Sequence, residues 1–146
     1  IYEHSTALAQ ALKAVSEVGE LADAVIKDDK DALKDAIGDT AVCIVNAAKM
    51  IGADISLGEV TDKDRENCDK TCAALCAYYV SDLAKAIGLV YWLWAIEEAI
   101  ELSFQYLACL AEKSGLEFMD CCEAAWLEIK DRTGKMVAGG AFVKDE

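Results

Sequence analysis

No proline interrupts the 146 residues of this sequence, and no other feature limits its fold as much. Without proline, no stretch is barred from continuous helix. Ala, Leu, Glu, Lys and Ile abound, so the expected fold class is all-α, within a single domain spanning 1–146. Apolar positions at Leu8, Leu12, Val15, Leu21 and Val25 keep helical spacing over residues 5–26. The polar break Lys27-Asp28-Asp29-Lys30 supplies turn and N-cap chemistry. A second helix is expected over about 30–51, stopped by Gly52. Residues 53–67 read as a polar connection holding one short turn. Three more helices are expected at about 69–87, 91–113 and 117–130, followed by a Gly-punctuated tail, irregular or a short extended arm. The sum is a bundle of about five helices.

A shift of 62 positions aligns the halves without a gap: EVGELADAV at 17–25 falls on YVSDLAKAI at 79–87, and DAIGDTAV at 35–42 on EEAIELSF at 97–104. Glu20 then matches Asp82, Asp35 matches Glu97, Ala36 matches Glu98 and Asp39 matches Glu101. This predicts a degenerate tandem repeat of a helical hairpin, with repeats over about 5–55 and 69–117 and a C-terminal helix and tail over 117–146.

The formal net charge is −13, which excludes binding a nucleic-acid polymer through its phosphates, since that needs a basic face. A small phosphorylated ligand remains compatible if metal ions carry the bridging charge. The longest apolar run, AIGLVYWLWAI at 86–96, falls short of the roughly 20 residues of a membrane span and is expected to be a buried core helix. No basic-then-apolar leader opens the sequence, and the expectation is a cytoplasmic protein with no membrane association. Its seven cysteines, an odd number outside a small disulfide scaffold, are expected to be reduced.

The chemistry concentrates at 17–42. Glu17 and Glu20 lie three apart before the polar break, and Asp35 and Asp39 four apart after it; each spacing puts two carboxylates on one helix face. If the helices fold back on each other, three or four carboxylates meet, and such a cluster either raises its pKa values or holds a cation. All-oxygen donors suit Mg²⁺, or Mn²⁺, rather than zinc. The plain alternative is a solvated acidic face, against which stand the apolar and small neighbours of these residues. Gly19 and Gly38 beside them would permit close helix approach. Cys68, Cys72 and Cys76, one stripe of a helix, fit packing better than metal binding, as do Cys121 and Cys122. Lys130, Arg132 and Lys135 form the one dense basic cluster. It reads as helix-end charge or as phosphate capture, with Trp126 on the same face free to stack on a base or to pack in the core.

The ExxE at Glu17 and Glu20, the IGD ending on Asp39 and the tail AAWLEIKDRTGKMVAGGAFVK together resemble the MazG-like nucleoside triphosphate pyrophosphohydrolases, short phage and bacterial type. The resemblance covers 7–55 and 117–144. It implies a helical bundle that dimerises or tetramerises and cleaves nucleoside triphosphates between the α- and β-phosphates, releasing a monophosphate and pyrophosphate for nucleotide-pool house-cleaning. It also implies that Glu17, Glu20 and Asp39 hold Mg²⁺ and that Lys130 and Arg132 lie near the phosphates, with a metal-activated water as nucleophile. The family pattern is EExxE followed by ExxD. Here Ser16 replaces the doubled glutamate, Ala36 replaces the first acid of ExxD, and Leu127 stands where relatives carry a polar residue. Three readings follow. Asp35 substitutes from the adjacent position, about 100° around the helix; Glu98 and Glu101 supply ligands from the second repeat; or the chain is a catalytically weakened module that binds nucleotides or helices.

Overall fold

The computed structural model describes residues 6–130, and the backbone of two short strands beyond them. Helix α1, Ala7–Lys27, starts where the Thr6 side chain accepts the Ala9 amide at 3.0 Å. It ends at Asp28, held in the left-handed region at φ 54°. Only Asp28 and Asp29 separate it from α2, Lys30–Ile51, whose Asp29 cap accepts the Ala32 amide. So short a link forces the two helices antiparallel and adjacent. Helix α2 stops at Gly52 (φ 69°), as its sequence predicts. The connection contains α3, Asp62–Glu66, built on a capping box in which Thr61 and Asp64 each satisfy the other's backbone N–H. Then come α4, Asp69–Gly88, α5, Leu93–Lys113, and α6, Phe118–Ile129. Strands β1, Gly134–Met136, and β2, Phe142–Lys144, pair antiparallel, with Lys135 opposite Val143. Among the described residues the fold is an all-α bundle of six helices with a two-stranded ribbon after it, where an irregular tail or extended arm was expected.

Helix α1 packs on α2 on one side and α4 on the other; α4 packs on α5, which closes lightly against α2, while α6 lies on the outside of α2. The shared core contains Leu21, Ile37, Ile44, Leu83, Ile100, Leu107 and Leu110, all fully buried. Buried Thr40 and Ser103 satisfy their hydroxyls on carbonyls of their own helices, Ala36 and Ala99, at 2.7 Å.

Of the two glycines expected to admit close approach, only Gly38 does so. A Cβ there would lie 2.2 Å from the Cys121 carbonyl oxygen and 2.9 Å from the Ala125 side chain, so α6 rests directly on α2 at this residue. At Gly19 a Cβ would meet nothing within 4 Å.

The run at 86–96 is not the buried core helix its hydropathy suggests. Helix α4 stops at Gly88, the next four residues form a link with Val90 at φ 54°, and α5 begins only at Leu93. Leu89, Val90, Tyr91, Trp92, Leu93 and Trp94 are all exposed. Hydropathy registers an apolar run but not the chain reversal inside it, which turns these side chains outward. Among the described residues no helix is long and apolar enough to cross a membrane.

Candidate functional site

The α1–α2 hairpin fixes the site. Asn46 of α2 donates to the Gln10 side chain of α1 at 3.5 Å, and this contact sets the antiparallel register. Seven residues on from Gln10 and seven back from Asn46, Glu17 stands level with Asp39 on the same helix faces. Three residues further along each helix, Glu20 stands level with Ala36. Glu17 is buried at 6% exposure, Asp39 is half-buried and Glu20 is exposed. Ala36, at 2% exposure, puts a methyl group where the resemblance expects an acid.

Charge links three of the four acids. The Lys13 ammonium lies 2.7 Å from the Glu17 carboxylate. That hydrogen bond raises the Lys13 pKa, partial burial opposes it, and the Glu17 and Glu20 charges add to the rise. On the α2 side, burial pushes the Cys43 thiol up to about 12, with Glu17 and Asp39 adding to the effect and Lys13 opposing it. Glu17, Glu20 and Asp39 therefore share one polar neighbourhood with Lys13 and Cys43. Asp35, one turn before Asp39, also reaches toward α6. It is exposed and acts on Cys121 of α6, whose thiol is raised by burial, lowered by Lys34 and raised by Asp120 and Asp35. The rotation that separates Asp35 from Ala36 carries its carboxylate to the α6 side. Among the described residues no three Asp, Glu, His or Cys groups gather closely enough to hold a metal ion by themselves.

A cavity of about 440 Å³ lies between α2 and α6, and none of Lys13, Glu17, Glu20, Asp39 and Cys43 lines it. Val42, Asn46 and Lys49 line it from α2, at three, seven and ten residues past Asp39 and so along one stripe of the helix. Phe118, Met119, Cys122 and Trp126 of α6 form the opposite wall, with Phe104 of α5 between. The wall is mainly apolar and aromatic, with Asn46 and Lys49 as polar points. Asn46 touches Gln10 on one side and the cavity on the other, about 10 Å along the helix from Asp39.

Other candidates distribute differently. Trp126 lines the cavity while half exposed, and Lys130 is exposed at the end of α6. Arg132 and the side chain of Lys135 lie outside the described residues. In the second helical pair, Asp82 pairs with Lys85 at 3.6 Å, and Glu97 accepts the Asp54 amide at 2.6 Å. Glu98 and Glu101 are exposed, so Glu98 does not share the burial of Ala36, its counterpart in the alignment. Cys72 and Cys76 pack in the core as expected, whereas Cys68 is exposed at the N-terminus of α4. Sequence reading missed Lys13, Gln10, Asn46 and Lys49. The i,i+4 pair Lys13/Glu17 was a readable signal; the other three acquire a role only from the hairpin register and the cavity.

The fold and site define a class: an all-α bundle whose first helical hairpin carries an acidic neighbourhood and one wall of an aromatic-walled cavity. The family model of the MazG nucleotide pyrophosphohydrolase domain matches residues 5–71, and over that stretch the chain is similar to that domain. The match takes in α1, α2, α3 and the first residues of α4, hence Glu17, Glu20 and Asp39. No curated protein sequence and no solved structure matches the chain.

Proposed function

We propose that this chain hydrolyses ribo- or deoxyribonucleoside triphosphates to the monophosphate and pyrophosphate, with Mg²⁺, or Mn²⁺, as cofactor. The reading rests on the hairpin register that puts Glu17 level with Asp39, within one turn of the first cavity-lining residues of α2 and inside the stretch that matches the family model. Mg²⁺ is commonly held by one or two carboxylates together with substrate phosphates rather than by an all-protein cage. Glu17, Asp39 and, from the next level, Glu20 are the donors of the right hardness. Asp35, one turn before Asp39, is the further candidate donor. When bound, Mg²⁺ would supply charge neutralisation to the phosphate oxygens and make water a better nucleophile.

The remaining roles fall to the chain's own residues. The base enters the cavity and stacks on Trp126, while the phosphates run along α2 toward Asp39. Lys13, the cation nearest the carboxylates, meets phosphate oxygens on one side and orients Glu17 on the other. Lys130, with Arg132 and Lys135, offers further positive charge to the phosphates. Preorganised charge of this kind is most of what phosphoryl-transfer catalysis requires.

A second reading is favoured by a specific observation: the buried methyl of Ala36 level with Glu20, together with the Lys13 ammonium already seated on Glu17. A chain with this deficit would bind nucleotides without turning them over. Isothermal titration with a non-hydrolysable triphosphate, set beside a pyrophosphate-release assay in Mg²⁺ and in EDTA, separates the two. Turnover lost in EDTA supports the enzyme; tight binding without release supports the weakened module.

A further inference from the structure

Residues 53–61 join α2 to α3 without helix or strand, yet the chain there is fastened twice to α5. The Glu97 carboxylate accepts the Asp54 amide at 2.6 Å. At Gly58 the backbone lies so close to α5 that a Cβ would stand 2.6 Å from the Gln105 side chain and 2.9 Å from the Glu101 carbonyl oxygen. Gln105 is itself held, donating to Asp64 at 2.9 Å. Glu97, Glu101 and Gln105 form one stripe of α5, about 12 Å from end to end. Residues 54–58 cover such a distance only when nearly extended, at about 3.3 Å per residue. In an extended chain residues two apart share a face, and Ile55 and Leu57 both line the cavity between α2 and α6. We propose that residues 54–58 are a strap at the cavity mouth, on which Ile55 and Leu57 grip the face of a planar ring, with Glu97 as the positioning residue that holds the strap in place. For a nucleotide, this rests on the reading above that the base enters the cavity.

Exposure supports it first. Ile55 is 41% exposed and Leu57 58%, so neither is spent on the core, and both keep apolar surface at the cavity for a ligand to cover. Met119 and Trp126 of α6 line the same cavity and are exposed as well, while Phe104 is buried. A heteroaromatic ring has two apolar faces and a polar edge. Half-covered apolar side chains suit the faces, and Asn46 and Lys49 suit the edge. The tether supports it next. Without the Glu97 contact the start of the strap would be ordered only when a ligand arrived, and binding would bear that entropic cost. With the contact, Ile55 and Leu57 are in place beforehand. Both fastenings come from α5, beyond the stretch matched by the family model, which gives the second helical pair a part in binding.

Methyl-labelled NMR tests the proposal with two probes, a non-hydrolysable deoxyadenosine triphosphate analogue with Mg²⁺ and free indole. Both are expected to shift the Ile55 and Leu57 methyl signals through the ring current of the bound ring. Glu97→Ala should weaken both probes about 10-fold and speed hydrogen exchange of the Asp54 amide. Glu97→Gln keeps an acceptor oxygen and should restore wild-type binding, a rescue that a loss of fold would not show. Leu57→Ala, at an exposed position outside the core, should also weaken both probes about 10-fold. Indole alone moving these methyls would sink the nucleotide reading and leave the strap standing. Neither probe moving them would overturn the proposal, as would affinities unchanged in both Glu97→Ala and Leu57→Ala.

Discussion

Lys13 Nζ stands 2.7 Å from Glu17 Oε1, an ammonium more than half exposed paired to a carboxylate that is 7% exposed. The buried partner depends on the exposed one. With one oxygen of Glu17 already engaged, a metal ion must share that carboxylate with the lysine or displace it.

Removing the ammonium without removing the carboxylate isolates this competition. Lys13→Gln is expected to cost on the order of 1–2 kcal/mol of stability without divalent ions, between the values for exposed and buried pairs. Added Mg²⁺ should then raise the melting temperature of Lys13→Gln by more than it raises that of the wild type. An equal Mg²⁺ shift in the two proteins would show that the lysine and the metal do not meet at Glu17.

Two glycines on the same hairpin make a matched pair for the packing argument. Gly38→Ala forces a methyl into the Cys121 carbonyl and Ala125, at an expected cost of about 1–3 kcal/mol in urea denaturation. Gly19→Ala meets open space on a helix and should stabilise by roughly 0.5–1 kcal/mol. Equal effects would contradict the close seating of α6 on α2.

The thiols divide by environment. Burial pushes Cys43 up to about 12 and Cys122 to about 11. Cys68 is exposed and lowered, first by its hydrogen bond with the Thr71 hydroxyl at 3.2 Å. Brief iodoacetamide treatment of the native protein near pH 8, followed by peptide mapping, should label Cys68 well ahead of the other six.

Asp64 ties α3 to α5. Burial alone would raise its carboxyl pKa, but hydrogen bonds from the Thr61 amide, the Gln105 side chain, the Thr61 hydroxyl and Tyr106 outweigh that and hold it below the usual carboxylate range. A depressed folded-state pKa contributes stability that is full above the unfolded value, near ~3.9, and is lost as pH falls through the folded one. Urea midpoints measured from pH 5 downward should fall more steeply in the wild type than in Asp64→Asn. At neutral pH that variant should be weaker by about 0.5–1.5 kcal/mol for each hydrogen bond lost.

How much of this was legible in the sequence varies with the kind of signal. Helix α2 could be bounded almost to the residue because its ends are local chemistry, the Asp29 cap and Gly52. The 86–96 run deceived because apolar composition says nothing about direction: only the break at Gly88 and the positive φ of Val90 turn it outward. That Glu17, Glu20 and Asp39 would share one polar neighbourhood could be expected from spacing, while the reach of Asp35 toward Cys121 depends on where α6 packs. The places of Asn46 and Lys49 were not legible, since the hairpin register and the cavity arise from tertiary packing. Nor did the alignment of the halves foretell that Ala36 would be buried and its counterpart Glu98 exposed.

The most direct test of the central claim is pyrophosphate release from the common ribo- and deoxyribonucleoside triphosphates with Mg²⁺, alongside EDTA and the Glu20→Ala and Asp39→Ala variants. The account predicts Mg²⁺-dependent release by the wild type, lost in EDTA and reduced at least about 100-fold in either variant, as for removal of a group that stabilises charge in the transition state. No release from any nucleotide by the folded wild type, or release unaffected by EDTA and by both substitutions, would contradict it.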